Sequence, residues 1–315
     1  MTDFELIDTI LRIKKDKNAL ILAHYYQDES IQLCADFVGD SYGLSIKAMN
    51  SNADMIVFAG VHFMAETAKI LNPTKKIIVP DLETGCSLAA SCEYDRFKKM
   101  KEMHPNHVVV TYINCSAEIK SLSDVICTSS NAEKIINSIP ENREILFAPD
   151  KNLGKYLEKK TGRRMLLWDG VCIVHESFSF NKLVEIINEN PGIKIVAHPE
   201  SNADILELAT FIGSTTEMIH FVVESPDDKF IIATEIGVIH DLKKKAPNKL
   251  LIPAPAYEEN SCACSECAYM KVNTLKKLYD CLLNESPVID VPPELIESAR
   301  WPIDKMIKIT ENEIC

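Results

Sequence analysis

The sequence predicts an α/β protein made of three homologous units with parallel strands. Three observations carry this expectation. Apolar, β-branched runs alternate with amphipathic helical stretches along the chain, the rhythm of strand–helix crossover units. The alternation recurs three times with a period near 87 residues and four matches in register, which marks an internal repeat. In every copy, polar, aromatic and sulfur-bearing residues gather just past the carboxyl ends of the strands, where ligands bind in parallel α/β sheets.

Taken in order, residues 1–16 read as an N-terminal helix with Ile7, Ile10 and Leu11 on one face. The three units follow at 17–102, 103–189 and 190–285, each a size compatible with a small domain. Their first strands are Ala19-Leu-Ile-Leu-Ala-His-Tyr-Tyr26, Val108-Val-Val-Thr-Tyr-Ile-Asn114 and Lys194-Ile-Val-Ala-His-Pro-Glu200. Aligning His24 with Tyr112 and His198 gives separations of 88 and 86 residues. The second match is Asp36-Phe-Val-Gly-Asp-Ser41, Asp124-Val-Ile-Cys-Thr-Ser129 and Thr210-Phe-Ile-Gly-Ser-Thr215, each with a hydroxyl before a helical stretch. The third is Ile56-Val-Phe-Ala-Gly60, Ile145-Leu-Phe-Ala-Pro149 and Phe230-Ile-Ile-Ala-Thr234. The fourth is Ile77-Ile-Val-Pro-Asp81, Met165-Leu-Leu-Trp-Asp169 and Leu250-Leu-Ile-Pro-Ala254. Residues 286–315 read as a proline-punctuated tail packing on the body, with a helix around Pro293–Arg300 stopped by Trp301-Pro302. Three such units around a pseudo-threefold axis would turn their strand ends toward one shared cavity.

Composition narrows the function classes. The chain has 315 residues, 46% of them hydrophobic and 25% charged, ordinary for a globular protein with a substantial core. A net charge of −12 with no basic stripe argues against nucleic-acid or membrane-surface binding. The densest basic run, Lys243-Lys-Lys245, reads as a solvated helix end. No apolar run approaches the roughly 18 residues that would span a bilayer. The acidic, amphipathic start Met1-Thr-Asp-Phe-Glu-Leu-Ile-Asp8 is unlike a secretory signal. These features lead to the expectation of a soluble cytoplasmic protein. Eleven cysteines in that setting point to metal, cluster or redox chemistry rather than a disulfide framework.

Those cysteines follow the repeat. After its fourth strand each copy carries one: Cys86 in the first, Cys172 in the second, and the run Cys262, Cys264, Cys267 in the third. The glycines before Cys86 and Cys172 permit close backbone approach. A thiol from each copy makes a three-thiolate site, whereas closed zinc sites and fully protein-bound clusters take four protein ligands. Three ligands imply a catalytic metal or a cluster with one iron left open. Cys34, Cys92, Cys115, Cys127, Cys281 and Cys315 lack any such pattern and read as core or surface thiols.

The strand ends supply His24 and Tyr26, Tyr112 and Asn114, and His198 and Glu200: imidazole, phenol and carboxylate, the groups of general acid–base catalysis. His175, three residues after Cys172, either joins them or orients its loop. The hydroxyls Ser41, Ser129 and Ser214 or Thr215 read as helix N-caps. Facing one cavity, such caps would also bind a polyanionic substrate through free N–H groups and the helix dipole.

These residues, in this order, resemble quinolinate synthase, an enzyme of de novo NAD biosynthesis. The likeness covers nearly the whole chain. Its strongest points are Ala23-His-Tyr-Tyr-Gln27, Ala35-Asp-Phe-Val-Gly-Asp-Ser41, Val79-Pro-Asp-Leu-Glu-Thr-Gly-Cys-Ser-Leu-Ala89, Ala197-His-Pro-Glu200 and Cys267-Ala-Tyr-Met-Lys-Val-Asn-Thr274. The resemblance implies three homologous three-layer αβα domains around a central site. It implies one [4Fe-4S] cluster held by Cys86, Cys172 and Cys267, its fourth iron free as a Lewis acid. The implied reaction condenses iminoaspartate with dihydroxyacetone phosphate, losing phosphate and two waters to give quinolinate. L-aspartate oxidase or aspartate dehydrogenase would supply the iminoaspartate. His24, Ser41, Tyr112, Asn114, Ser129, His198, Glu200, Ser214 and Thr215 would line the substrate pocket. Glu200 and His198 would move protons, with Tyr112 beside them, and Tyr26 would polarise or orient the substrate. Where some relatives carry C-x-x-C-x-x-C, this chain has Ser261 at the first position, leaving Cys264–Cys267 as a C-x-x-C pair. The rival readings are another open-iron hydro-lyase acting on a small acid and a non-catalytic protein stabilised by a metal.

Overall fold

The computed structural model describes residues 1–257 and 265–312. Ser261, Cys262, Cys264 and Cys315 therefore lie outside the described residues, as does the Cys264–Cys267 pairing. The first unit contains β1 (Ala19–His24), β2 (Phe37–Gly39), β3 (Met55–Ala59) and β4 (Lys76–Ile78). The second contains β5 (Val108–Tyr112), β6 (Val125–Cys127), β7 (Ile145–Ala148) and β8 (Leu166–Leu167). The third contains β9 (Lys194–Ala197), β10 (Phe211–Ile212), β11 (Lys229–Ala233) and β12 (Leu250–Pro253). They form three four-stranded parallel sheets of identical order: β2-β1-β3-β4, β6-β5-β7-β8 and β10-β9-β11-β12. The fold is α/β, three units of helices and parallel sheet.

The repeat extends to single hydrogen bonds. The polar residue just before each second strand pins the neighbouring first strand. Asp36 and Asp124 carboxylates accept from the backbone N–H of Ile21 and Val109, both at 2.8 Å, and the Thr210 hydroxyl accepts from Ile195 at 3.3 Å. Register is thus set by side chain as well as by ladder, which matters because a one-residue slip would reverse every face.

Period-two alternation sorts each sheet's side chains into two cores. Leu22, Ile56, Phe58 and Ile77 face one cluster, while Ile21, Met55, Val57 and Ile78 face another. In the third sheet Val196, Phe230 and Ile232 oppose Ile195, Ile231 and Ala233. Val110, Ile145 and Phe147 of the second sheet join the first sheet's cluster, whereas Val109, Leu146 and Ala148 face Phe97 and Trp168. Burial on both faces explains why these strands read as continuous apolar runs. The first two units therefore share one core.

Three helices differ from expectation. The N-terminal helix Asp3–Asp16 buries Leu6, Ile10 and Lys14, with Ile7 and Ile13 flanking and Leu11 half-buried. The spacing of four selects a slightly rotated face, and Lys14 reaches Asp36 at 2.9 Å and the Cys34 carbonyl at 2.8 Å. The C-terminal helix runs Pro293–Thr310, with Pro302 inside it rather than ending it. An interior proline costs about 3 kcal/mol. Ala299, Ile303, Met306 and Ile307 sit in the core shared by the first two units, and each large apolar side chain buried contributes about 1.5–3 kcal/mol. Burial wins. The helix Leu275–Asn284 turns Leu278, Cys281 and Leu282 against Leu6, Ile10 and Ile21, on the first sheet rather than the third. Lys243, Lys244 and Lys245 end the helix Val238–Lys245 in solvent, as expected.

Candidate active site

The carboxyl ends of the strands converge on one cavity of about 750 Å³ not filled by protein atoms. Its wall includes His24, Tyr26 and Ser41 from the first unit, Tyr112, Asn114 and Ser129 from the second, and His198, Glu200 and Thr215 from the third. Cys86, Cys172 and Cys267 line the same cavity.

The three cysteines share one local structure. Each is the N-cap of a single short helix: Ser87–Ser91, Ile173–Glu176 and Ala268–Lys271. The N–H groups of the first turn, Leu88 and Ala89, His175, and Tyr269 and Met270, favour ionisation of these thiols without making a capping hydrogen bond to them. Glycine makes room for two of these loops. A Cβ on Gly170 would lie 2.5 Å from the Pro149 carbonyl oxygen and 2.4 Å from Ser91 Oγ, and one on Gly85 would meet the Tyr269 ring at 3.0 Å. Burial pushes the Cys86 thiol up to about 12, the charge of Cys267 adding to it. Burial and Glu235 raise Cys267 to about 11. Burial, Glu200 and Cys86 drive Cys172 well up. Three half-buried thiols that oppose one another's ionisation ionise together only around a cation, and the partial positive charge of a helix N-terminus favours bound thiolate. The donor set therefore fits a three-cysteine metal or cluster site. Cys34, Cys92, Cys115, Cys127 and Cys281 are buried away from it.

Opposite lie two histidines with the same backbone device. Tyr26 N–H donates to His24 Nδ1 at 3.2 Å and Glu200 N–H to His198 Nδ1 at 3.5 Å. With Nδ1 accepting, the ring proton of each neutral imidazole sits on Nε2. Both are neutral at physiological pH. Burial pulls His24 down to about 3, assisted by His198, and burial likewise pulls His198 to about 3 against the opposing charge of Glu200.

Glu200 is the hub. His175 Nδ1 donates to its Oε2 at 2.8 Å, Asn114 Nδ2 approaches Oε1 at 3.4 Å, and the Tyr112 hydroxyl donates to the same carboxylate. Burial opposes ionisation, but His175 and the Tyr112 hydrogen bond outweigh it and hold the carboxyl below its usual range. Asp150, buried nearby, moves the other way through burial and the charge of Glu200. Two carboxyls pushed apart in this manner are a mark of acid–base sites. Among the described residues Asn114 Oδ1 has no partner, an acceptor left for a ligand.

The hydroxyls divide. Ser214 is the N-cap of Thr215–Glu224, accepting from Glu217 N–H in a capping box, and is fully buried outside the cavity wall. Ser41 is not a cap: Asp40 caps Ser41–Met49. Nor is Ser129, because Asn131 precedes Ala132–Asn137. The Asp40 carboxylate caps one helix and Asn131 occupies the cap position of the other without a side-chain bond to it, and Ser41 and Ser129 face the cavity with Thr215. His175 belongs to the site, through Glu200, Cys172 Sγ at 3.2 Å and Thr234 Oγ1 at 3.0 Å. Cys172, His175 and Glu200 together could also hold a single metal ion. Two residues escaped the sequence reading. Thr234 joins Tyr26 to His175. Glu235 lines the cavity and accepts from Gly237 N–H at 2.7 Å and Cys267 N–H at 3.2 Å, with Lys271 Nζ at 3.6 Å. The signal was there: Pro149-Asp150 and Thr234-Glu235 both follow the third strand of their copies.

Comparison with known proteins gives the family. The model of the family described as Quinolinate synthetase A protein matches residues 8–308. A quinolinate synthase of Microcystis aeruginosa is 53% identical over 306 residues, 97% of this chain and 95% of the relative. One of Gloeothece citriformis is 53% identical over 308 residues, covering 98% and 95%. One of Chloroherpeton thalassium is 50% identical over 311 residues, covering 99% and 96%.

Proposed function

The chain belongs to the quinolinate synthetase A family, and on that footing we propose that it condenses iminoaspartate with dihydroxyacetone phosphate to quinolinate, phosphate and two waters. The observation that supports this most is the union, in one cavity, of three identically capped cysteines from three units with a buried ionised Glu200. Cys86, Cys172 and Cys267 would hold a [4Fe-4S] cluster. When bound, it would supply a Lewis-acidic iron that assists loss of hydroxide.

The remaining chemistry falls to the chain. Both substrates are anionic, and Ser41, Ser129 and Thr215 offer hydroxyl donors for carboxylate and phosphate oxygens. Glu200, ionised and oriented by His175, Tyr112 and Asn114, is the base that takes protons during condensation and ring closure. His198 and His24 present neutral Nε2–H groups as hydrogen-bond donors; His198 can also accept and return a proton beside Glu200. Tyr112, donating a hydrogen bond to Glu200 and keeping its own proton, orients the carboxylate as it acts. The dry walls of Val61, Phe63, Met64 and Met270 keep water from the reactive imine. Among the described residues no helix is long and apolar enough to cross a membrane. A cytoplasmic site of action, fed by an aspartate-oxidising enzyme such as L-aspartate oxidase or aspartate dehydrogenase, completes the reading.

The test is anaerobic reconstitution with iron and sulfide of wild type and of Cys86→Ser, Cys172→Ser and Cys267→Ser, followed by iron counting and a quinolinate assay. About four irons per chain and product in wild type, lost in each variant, is the expected result. Iron with no quinolinate would return the hydro-lyase alternative. Stoichiometric zinc, with unfolding on its removal, would return the structural-metal alternative.

A further inference from the structure

A second cleft lies outside the central cavity, between the second and third units. It encloses about 690 Å³, within the range of small-molecule sites, which favour junctions between domains. One wall is the helix Lys151–Thr161 and the other the helix Ala203–Leu208. Half-buried Tyr156, Leu206 and Ile212 give the cleft an apolar floor, and Ser201 completes it. Ser201 is wholly buried, and among the described residues its Oγ has no hydrogen-bond partner. Leaving a buried hydroxyl unpaired is costly. In the wall of a cleft it is a group kept for a ligand.

Charge is arranged across the gap. Lys155 and Lys159 stand about 6 Å apart along the first helix, one turn from each other. Asp204 and Glu207 stand a turn apart on the second. Lys151 and Lys160 are engaged by Asp169 at 2.6 Å and Glu133 at 2.8 Å. The other four are not: among the described residues no ion pair joins either lysine to either acid. Opposite charges on two walls that do not meet set the gap wider than an ion pair. A fitting occupant brings an anionic end for the lysines, hydroxyl donors for the carboxylates and an apolar part for the floor. A simple anion is repelled by the acidic wall, and an amine by the basic one. A phosphorylated ribose answers both, since lysines hold phosphate as point charges and carboxylates take ribose hydroxyls.

We propose that this cleft binds a nucleotide, with its phosphate on Lys155 and Lys159, its ribose hydroxyls on Asp204 and Glu207, and its base on the floor beside Ser201. The cleft backs onto the central cavity. Asn152, in its wall, donates through Nδ2 to the Glu200 carbonyl at 3.1 Å. The nucleotide therefore sits behind the segment that carries Glu200, apart from the carboxylate that faces the cavity.

The test measures binding, not turnover, so it holds whether or not the chain forms quinolinate. The anaerobically reconstituted full chain is titrated calorimetrically with adenosine monophosphate, its dideoxyribose analogue, ribose phosphate and inorganic phosphate. Adenosine monophosphate should bind at a single site, at least about tenfold tighter than ribose phosphate or inorganic phosphate, and more weakly as salt is added. Lys155→Gln/Lys159→Gln should raise its Kd about tenfold or more. Loss of the ribose hydroxyls should raise Kd about fivefold. Asp204→Asn/Glu207→Gln should do the same to adenosine monophosphate and leave the analogue unchanged, because acids and hydroxyls act through one contact. All four substituted residues are exposed, so the fold is kept. Ser41→Ala, confined to the central cavity, should change nothing. No binding at millimolar nucleotide, binding indifferent to the lysine pair, or binding lost in Ser41→Ala overturns the cleft as the site. Ribose phosphate or inorganic phosphate binding as tightly as the nucleotide overturns the ligand class.

Discussion

Glu200→Gln separates the chemistry of the cavity from its architecture. Glu200 is 3% exposed and near-isosteric with glutamine, so the cavity keeps its shape. Two things change. The base is gone, and a positioned general base contributes about 10²–10⁴-fold, or about 3–5 kcal/mol of barrier. The acceptor pair becomes one acceptor and one donor, so His175 Nδ1–H and the Tyr112 hydroxyl, which both donate to the carboxylate, compete for one oxygen. One buried donor left unpaired costs about 1–3 kcal/mol of stability. In a chain of this size that corresponds to a Tm lower by about 2–10 °C. The assay is quinolinate formation under anaerobic conditions, with kcat and KM resolved separately, beside a thermal melt and an iron count. The expected variant is folded, iron-loaded, slower by at least about a hundredfold and little changed in KM. A kcat within about tenfold of wild type at full iron content would refute the role of Glu200 as base.

Gly170→Ala places a Cβ 2.5 Å from the Pro149 carbonyl oxygen, and a backbone atom cannot rotate away. The loop carrying Cys172 should shift, lowering bound iron and stability by about 1–3 kcal/mol, readable by iron count and denaturant titration. Unchanged iron would mean that the loop yields freely. Glu285 accepts from Lys17 at 2.8 Å and Lys76 at 2.6 Å, which pull its carboxyl down to about 2. A depressed carboxyl stabilises the fold above the ordinary glutamate range and loses that contribution as pH falls toward its folded value. The Tm of wild type should therefore drop more steeply between about pH 5 and pH 2 than that of Glu285→Gln. Parallel pH profiles would show the pair to be idle.

What could be read from the sequence followed from repetition. Three strands ending in His24, Tyr112 and His198, and cysteines after each fourth strand, constrain one another as no single motif does. Helix ends were less legible because capping is a competition between neighbours: Asp40 and Asn131 took the positions that Ser41 and Ser129 were expected to fill. Pro302 misled because local propensity ignores the core onto which that helix is pressed. Thr234 and Glu235 were passed over since the third strand's match was read for its apolar residues, and the polar pair that ends it attracted no attention. The contacts of Thr234 with Tyr26 and His175 exist only once three separate segments meet.

The backbone donors to His24 and His198 have an evolutionary consequence. In each case the group that fixes the imidazole proton is the N–H of the residue two positions on, and every residue except proline has one. The side chain at that position is thus released from the task of fixing the ring proton. One copy could acquire Tyr26 there and another Glu200 without losing the backbone donor that sets the tautomer. A duplicated gene segment ordinarily diverges at the risk of breaking what it inherited; here the scaffold separates an inherited part from a free one, and the two histidine-bearing walls of the cavity could specialise independently.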